Sequence, residues 1–150
     1  NDTAGSLVRI LNMGIEPFLI TSSVIMISAQ RLVRKLCEHC KVSFQAEEEL
    51  TQRLGLEKKK SCTFYRPLGC VKCRATGYSG RSVISELLML TPEIKAMIMS
   101  RASGEEIKLH ARRQGMTTLR ESGIEKALAG ITSLDEVFRV TAGDQELEVR

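Results

Sequence analysis

Two cysteine pairs constrain this chain more than any other feature of its sequence. Cys37 and Cys40 frame one C-x-x-C motif, Cys70 and Cys73 frame a second, and the 29 residues 41–69 separate them. Each motif can present two thiolates to one metal ion, and four thiolates complete the tetrahedron that Zn²⁺ accepts from sulfur. The spacing therefore predicts one structural zinc per chain, with these four cysteines as ligands and no open position for catalysis.

The interval between the motifs exceeds the roughly 15–20 residues of common four-cysteine fingers. Loop-closure entropy grows only logarithmically with length, so about ten extra residues cost roughly half a kcal/mol. Ordinary buried cysteines or a redox-active C-x-x-C pair are the alternatives, but two such motifs in one chain favour zinc. The fifth cysteine, Cys62, has no partner at ligand spacing and is predicted to be a packed or free thiol.

The number of cysteines favours a reducing compartment for this chain. An odd number of cysteines fits poorly with a secreted disulfide framework.

The longest apolar stretch, residues 18–29, is broken by serine and threonine and is far shorter than the roughly 20 residues of a membrane span. We expect a soluble, cytoplasmic chain of one or two small cores. It begins without methionine in a predicted helix start, so we also expect a fragment of a longer protein.

The net charge of +4 is unevenly distributed along the chain. Between Arg31 and Arg81 there are twelve lysines and arginines against five acidic residues, whereas the remainder sums to −3. Such a basic stretch could attract phosphates, anionic lipid or an acidic partner. A solvated basic face is the alternative interpretation.

Turn and capping residues divide the chain into predicted elements. Asp2 or Thr3 caps a first helix, and residues 46–54 form a second, acidic one. Residues 24–36 and 81–90 are predicted strands that bracket the cysteine motifs, so an antiparallel pairing would bring both motifs together. Four short helices are predicted after the second strand, and their capping residues are Thr91 with Pro92, Ser103 with Glu106, Thr117 or Thr118, and Ser133 with Glu136.

Catalytic motifs are absent from the 150 residues. The sequence contains no phosphate-binding P-loop, dinucleotide-binding turn, nucleophile elbow or metalloprotease helix. His39 lies inside the first cysteine motif and is predicted to face solvent. His110 lies mid-helix with no nucleophile pattern nearby and is predicted to be a surface residue. The residues themselves therefore predict no catalytic site.

Six blocks in order carry a resemblance to a known family. They are NDTAGSL at 1–7, MGIEPFL at 13–19, AQRLVRKLCEHC at 29–40, GCVKCRATGYSGR at 69–81, ELL at 86–88 and GMTTL at 115–119. Together they closely resemble the C-terminal part of the secretion-type traffic ATPases, which comprise the type II secretion motor and the type IV pilus extension motor. The resemblance covers nearly the whole chain, and residues 144–150 add nothing to it.

The resemblance implies an α/β fragment, which means a piece of a larger α/β protein. The residues of the piece itself would form an α+β arrangement. Residues 1–36 would be the tail of a RecA-like P-loop ATPase core, 37–73 the tetracysteine zinc-binding subdomain, and 74–150 the closing strand and C-terminal helical subdomain. The P-loop would precede this segment, so ATP and Mg²⁺ would bind only the full-length protein, and the fragment alone is predicted to be inactive. The Gln30–Arg31 pair could lie at a subunit or nucleotide boundary, or could be an edge-strand polar pair.

The resemblance also implies partners and a location. The full-length protein would be a homo-hexamer on the cytoplasmic side of the inner membrane, pushing on a membrane-embedded platform protein and other secretion or pilus components. The alternative is a free-standing zinc-ribbon module that binds nucleic acid or another partner. Phe44, Phe64 and Tyr65 supply aromatic side chains near the basic region, too few and too scattered for a base-stacking platform, so no nucleic acid is expected.

Overall fold

A computed structural model describes residues 2–57 and 61–143 of the chain. The helices within these residues are α1 (Thr3–Asn12), α2 (Pro17–Ser23), α3 (Glu48–Arg53), α4 (Pro92–Met99), α5 (Gly104–Arg113), α6 (Leu119–Leu128) and α7 (Leu134–Thr141). The strands are β1 (Met26–Leu36), β2 (Val42–Gln45), β3 (Thr63–Arg66) and β4 (Tyr78–Met89), and Val71–Cys73 form one 3₁₀ turn. The expected α+β architecture is confirmed.

Two small sheets organise the described residues. In the first, β1 pairs with β4. Backbone N–H groups of Cys37 and Leu90 donate to Gly77 and Ile25, one bond at each end of the pair, so the strands run antiparallel. The second sheet is the antiparallel hairpin of β2 and β3, with Val42 opposite Arg66 and Gln45 opposite Thr63.

The described residues divide into two compact units. Unit 1 contains 2–30, 85–119 and Gly143, and unit 2 contains 31–57, 61–84 and 120–142. The chain passes from one unit to the other within β1 and again within β4. Each unit has its own hydrophobic core.

Aliphatic side chains of four helices, α1, α2, α4 and α5, and of strand β4 form the core of unit 1. Leu7 of α1, Ile94 and Ile98 of α4, Ile107 of α5 and Leu88 of β4 are fully buried together. Each such side chain contributes about 1.5–3 kcal/mol to folding. In α1 and α4 the buried residues recur at helical spacing, because only one stripe of each helix faces the core.

A buried carboxylate ties two helix starts together in unit 1. One carboxylate oxygen of Glu86 accepts from the Thr3 backbone N–H at 3.0 Å and from the Thr3 hydroxyl, and the other accepts from the Leu119 N–H at 3.2 Å. Thr3 and Leu119 begin α1 and α6, whose N-terminal N–H groups have no partner inside the helix and carry partial positive charge. Glu86 thereby fixes where both helices begin.

Replacing Glu86 by glutamine is expected to destabilise unit 1. The side-chain NH₂ group would face a backbone N–H donor, so one buried donor would lose its acceptor at a cost of about 1–3 kcal/mol. Urea unfolding monitored by circular dichroism measures this loss. The exposed Glu105→Gln is the matched control in the same unit, and equal stability of the two variants would contradict the assigned role.

A second anchor holds the first turn of α1. Asp2 caps the helix by accepting from the Gly5 N–H at 2.8 Å, and its other carboxylate oxygen pairs with the buried Lys108 of α5. Burial alone would raise the pKa of Asp2, but the hydrogen bonds from Lys108 and Gly5 outweigh it and lower the pKa. The predicted cap at this position is confirmed.

Unit 2 packs the β2–β3 hairpin against the last two helices. Phe64 and Cys62 are buried with Ile124 and Ala127 of α6 and with Val137 of α7. Phe64 also lies 6.2 Å from the ring of Phe44 on the opposite strand. Cys62 is thus a packed core thiol, as one of the two sequence interpretations proposed.

The structure confirms most of the predicted elements and adds three. The two bracketing strands, the acidic helix and the caps at Thr91, Ser103 and Ser133 are present. Helix α2 and the β2–β3 hairpin were not predicted. The lysine run at 58–60, residue 1 and residues 144–150 lie outside the described part of the chain. Within the described part, the helices are all too short or too polar to cross a membrane.

Candidate metal centre

The first cysteine motif follows directly from the end of β1. The Cys37 backbone N–H donates to the Gly77 carbonyl at 2.9 Å, which continues the pairing with β4 by one residue. The chain then turns, because the N–H groups of Cys40 and Lys41 both donate to the Cys37 carbonyl, at 3.2 and 3.0 Å. This turn points both sulfur atoms of the motif to the same side.

The second motif occupies the irregular segment between β3 and β4. Its last three residues form the 3₁₀ turn, in which the Cys70 N–H donates to the Cys73 sulfur at 3.2 Å. Two glycines flank it in left-handed backbone conformations, Gly69 at φ 96° and Gly77 at φ 76°. A Cβ atom on Gly77 would lie 2.2 Å from the Cβ of Pro67, so only glycine fits there.

Replacing Gly77 by alanine is expected to distort the second motif. The positive φ and the contact with Pro67 together cost about 2 kcal/mol or more, and the Gly77 N–H would move away from the Cys73 sulfur, which it contacts at 3.2 Å. Thermal unfolding and metal content measured on the same sample test this expectation. Gly55→Ala is the matched control, because Gly55 also has a positive φ but has open space around it; an equal effect of both changes would contradict the packing argument.

The four cysteines lie close together, which is what the tetrahedral site predicted from their spacing requires. All four sulfur atoms lie within 4.8 Å of one another. The separations are 3.9 Å for Cys37 to Cys70, 3.9 Å for Cys40 to Cys73, and 3.7 Å for Cys70 to Cys73. A tetrahedron with metal–sulfur bonds of about 2.3 Å has edges of about 3.8 Å. The residues present therefore fit a Zn²⁺ ion, and the separations are far too long for disulfide bonds.

Burial and backbone donors shape the acidity of these thiols. Burial would raise the pKa of Cys73, but the N–H groups of Cys70 and Gly77 outweigh it and lower the pKa to about 6. Burial dominates at Cys40, where it raises the pKa to about 11. Without a cation the cluster therefore cannot hold four thiolates at neutral pH, whereas a bound metal ion deprotonates its thiol ligands. The chemistry of this donor set matches a metal centre.

Two lysines near the centre, Lys41 and Lys72, have partners of their own. Lys41 forms an ion pair with Glu38 at 2.7 Å and also donates to the Gly130 carbonyl at 3.1 Å. Lys72 of the second motif lies 3.4 Å from the ring nitrogen of His39 in the first. His39 is exposed, as predicted, and it is outside the sulfur cluster.

Comparison with known proteins assigns the chain to a family. The family model for the type II/IV secretion system protein matches residues 1–139. This chain belongs to the type II/IV secretion system protein family. Among curated relatives, the type IV pilus assembly ATPase PilB of Thermus thermophilus is 47% identical over 143 residues, 94% of this chain and 16% of the relative. The type II secretion system ATPase E of Vibrio cholerae is 42% identical over 141 residues, 94% of this chain and 28% of the relative.

A third relative falls between these two in identity. PilB of Pseudomonas aeruginosa, also a type IV pilus assembly ATPase, is 45% identical over 143 residues, 94% of this chain and 25% of the relative. The chain thus spans between 16% and 28% of the length of these three relatives. The resemblance to secretion and pilus motors is confirmed, and the free-standing nucleic-acid module is not favoured.

Unit 2 also holds a buried carboxylate, Glu136, that the sequence indicated only as part of a helix cap. Glu136 accepts from the Arg34 backbone N–H at 3.0 Å, from the Arg34 side chain at 2.6 Å and from Arg139 at 2.7 Å. The Arg34 guanidinium lies 4.2 Å from the centre of the Tyr78 ring, and the Tyr78 hydroxyl hydrogen-bonds to Ser133. This cluster joins β1, β4 and the start of α7 next to the first cysteine motif.

Glu136 makes the stability of the folded chain sensitive to acid. Burial would raise its pKa, but hydrogen bonds from Arg139 and Arg34 outweigh it and lower the pKa from 4.5 to about 2. A carboxylate with a lowered pKa in the folded state stabilises the protein above its unfolded pKa and loses that contribution as the pH falls. We therefore expect about 3 kcal/mol to be lost between pH 4.5 and pH 2.

Urea unfolding at a series of pH values measures this acid sensitivity. Other carboxylates with lowered pKa, such as Asp2, add to the slope of the wild-type protein. The difference in unfolding free energy between wild type and Glu136→Gln isolates the contribution of Glu136. That difference is expected to be constant near neutral pH and to shrink below pH 4.5, and a difference independent of pH would contradict the assignment.

The remaining residues that the sequence analysis singled out lie apart from the sulfur cluster. Cys62 is in the hydrophobic core of unit 2. His110 is half-buried in α5, and its Nε2 atom is buried without a hydrogen-bond partner among the described residues. Gln30 is exposed on β1, and the neighbouring Arg31 donates to the Val140 carbonyl.

Proposed function

We propose that Cys37, Cys40, Cys70 and Cys73 hold one structural Zn²⁺ per chain. The observation that carries this proposal is the set of sulfur separations of 3.7–3.9 Å, which match a zinc tetrathiolate. Four protein ligands leave no position for water or substrate. The ion would therefore supply folding energy and rigidity instead of Lewis-acid chemistry.

For the longer protein we propose a motor ATPase of type II secretion or type IV pilus assembly. The relatives with those names match 94% of this chain at 42–47% identity. In this proposal residues 1–36 are the tail of a RecA-like ATPase core, 37–73 the zinc-binding subdomain, and 74–150 the closing strand and helical subdomain. The chain alone carries no P-loop, so ATP and Mg²⁺ would bind only the longer protein.

The same proposal includes the assembly and its location. The longer protein would act as a homo-hexamer in the cytoplasm, peripheral to the inner membrane, and would work on a membrane-embedded platform protein. The family match supports machinery partners of this kind. The zinc-binding subdomain would contribute to this activity by holding its part of the chain in shape, far from ATP hydrolysis.

An ATPase assay on two polypeptides tests the proposed function. Purified 150-residue chain is expected to release no phosphate above buffer, whereas the longer polypeptide that contains it hydrolyses ATP in a Mg²⁺-dependent reaction. A variant of the longer polypeptide with its P-loop lysine replaced is the matched control. Turnover by the 150-residue chain that survives repurification, or an inactive longer polypeptide, would contradict the proposal.

A further inference from the structure

The four sulfur ligands of the candidate centre are unequally covered by protein. Cys37, Cys40 and Cys73 are 2%, 8% and 7% exposed, whereas Cys70 is only partly buried. We infer that Cys70 and Cys73 form a thiol–disulfide switch, in which a hydroperoxide oxidises the pair to a disulfide and the centre releases its metal ion. This inference rests on the proposed zinc centre and adds a regulatory reaction to it.

The surroundings of Cys70 leave its sulfur accessible to a small oxidant in solution. Val71, the next residue, is 95% exposed and therefore makes almost no contact that would shield its neighbour. Leu68, two residues before Cys70, is 73% exposed. A cysteine that ligates zinc is held as the thiolate, which is the form that peroxides oxidise. Among the four ligands, Cys70 is thus the site of first attack.

Cys73 is positioned to react with the oxidised Cys70. The two sulfur atoms lie 3.7 Å apart, and Cys70 caps the short 3₁₀ turn that Cys73 ends. A disulfide bond requires the sulfur atoms to approach by about 1.7 Å, which side-chain rotation within one turn can supply. The Cys37 sulfur, at 3.9 Å from Cys70, belongs to the other motif, whose backbone is held to Gly77 by a hydrogen bond. The pair within the second motif therefore closes first.

The reaction balances with one peroxide per disulfide. The Cys70 thiolate attacks one peroxide oxygen, so an S–O bond forms, the O–O bond breaks and hydroxide leaves. The Cys73 thiolate then attacks the sulfur of the resulting sulfenic acid, so the S–S bond forms, the S–O bond breaks and a second hydroxide leaves. The two thiolates lose two electrons, and these electrons reduce hydrogen peroxide to two hydroxide ions.

Oxidation of this pair leaves the centre with too few ligands. Cys37 and Cys40 supply two thiolates, whereas a structural zinc site needs four ligands. Release of the ion removes folding energy from the segment that carries the cysteines, because metal binding and folding are coupled. Unit 2 would therefore loosen around the two motifs, and reduction of the disulfide in the presence of zinc would restore it.

Peroxide treatment of the zinc-loaded chain tests this inference. Hydrogen peroxide is added in molar excess, free zinc is followed with a chromophoric chelator, and disulfides are mapped by mass spectrometry after the free thiols are alkylated. We expect one zinc to be released for each disulfide formed, and the disulfide to join Cys70 to Cys73. Dithiothreitol with added zinc should restore the full metal content, because the disulfide is a reversible product.

Histidine substitutions separate metal binding from oxidation. Cys70→His keeps four ligands, since three cysteines and one histidine form a common structural zinc site, but it removes the thiolate that peroxide attacks. This variant should release zinc about tenfold more slowly than wild type at the same peroxide concentration. Cys37→His is the matched control, because it also replaces one ligand but keeps the reactive pair, and it should release zinc at the wild-type rate. Equal rates in the two variants would overturn the switch, and the disulfide map of the wild type decides the matter if either variant binds no zinc.

Cys62 provides a further control within the same chain. It is 2% exposed and lies in the hydrophobic core of unit 2, so its thiol should stay reduced while the centre reacts. Cys62→Ala should release zinc at the wild-type rate and form the same disulfide. A disulfide that includes Cys62 would overturn the assigned pair.

Zinc content measured before oxidation keeps the two proposals distinguishable. Zinc-loaded protein that retains its metal in excess peroxide, or that forms sulfinic acid without a disulfide, would overturn the switch and leave the zinc centre standing. A disulfide between Cys37 and Cys40 would also overturn it. Wild-type protein without zinc before peroxide is added would overturn the proposed centre itself.

Discussion

Replacing Cys73 by serine is expected to remove the metal and to unfold the segment that carries both cysteine motifs. Serine is a poor ligand for a soft thiolate site. The Cys73 sulfur accepts from the backbone N–H groups of Cys70 and Gly77 and lies 3.9 Å from the Cys40 sulfur. Structural zinc contributes about 10–16 kcal/mol in finger peptides, and that binding energy is also folding energy. We expect zinc content to fall to near zero and the melting temperature of unit 2 to fall by about 10 °C or more.

Cys62→Ala is the control for this substitution. Cys62 is as buried as the ligands but packs against Phe64 in the core of unit 2 and not in the sulfur cluster. The Cys62→Ala variant should lose about 1 kcal/mol of unfolding free energy because of the small cavity, and it should keep its zinc. Elemental analysis and calorimetry of both variants give the comparison. Full zinc content in Cys73→Ser would contradict the assignment of ligands.

Replacing Glu136 by glutamine should cost about 3 kcal/mol, the second largest effect that we expect. The glutamine would keep the shape of the side chain but lose the charge that holds Arg34 and Arg139, at 2.6 and 2.7 Å. The side chains of both arginines are about half exposed and regain water, so the cost falls at the low end for a broken buried ion pair. Urea unfolding at neutral pH measures this change.

Asp135→Asn is the matched control for Glu136→Gln. Asp135 lies in the same first turn of α7 and has the same charge, but it is exposed. Its replacement should change stability by less than about 0.5 kcal/mol. Similar losses in the two variants would mean that the helix terminus, and not the pairing with Arg34 and Arg139, accounts for the effect.

Local signals made much of the helical fold predictable from the sequence. The Ser103 hydroxyl accepts from the Glu106 N–H while the Glu106 carboxylate accepts from Ser103, a reciprocal pair within three residues. Thr91 followed by proline marks the start of α4 in the same way. Such caps depend only on neighbouring residues, so the sequence alone contains the information.

Elements that depend on distant partners were not predictable in this way. The strands β2 and β3 are four residues each, too short for an alternating pattern, and their pairing joins residues far apart in the chain. Helix α2 carries Thr21, Ser22 and Ser23, whose hydroxyls bond to backbone carbonyls within the helix. These polar residues made its segment look like an interrupted apolar stretch.

The ligands of the candidate centre were predictable from the sequence, but the neighbouring side chains that hold the surrounding elements together were not. The two C-x-x-C motifs identify four sulfur donors by spacing alone. The cluster around Glu136, by contrast, joins Arg34 to a residue 102 positions later, and Ser133 with Glu136 was interpreted only as a helix cap. The pair of Glu136 and Arg139 at i,i+3 was the one local signal of that cluster.

Metal content of the purified chain tests the central claim most directly. Protein prepared without chelator is measured by elemental analysis and by quantitation of protein on the same sample. The account predicts one zinc ion per folded chain, retained through dialysis and lost together with the structure of unit 2 on strong chelation. A folded chain that contains no metal, and whose thermal unfolding is unchanged by chelator, would contradict it.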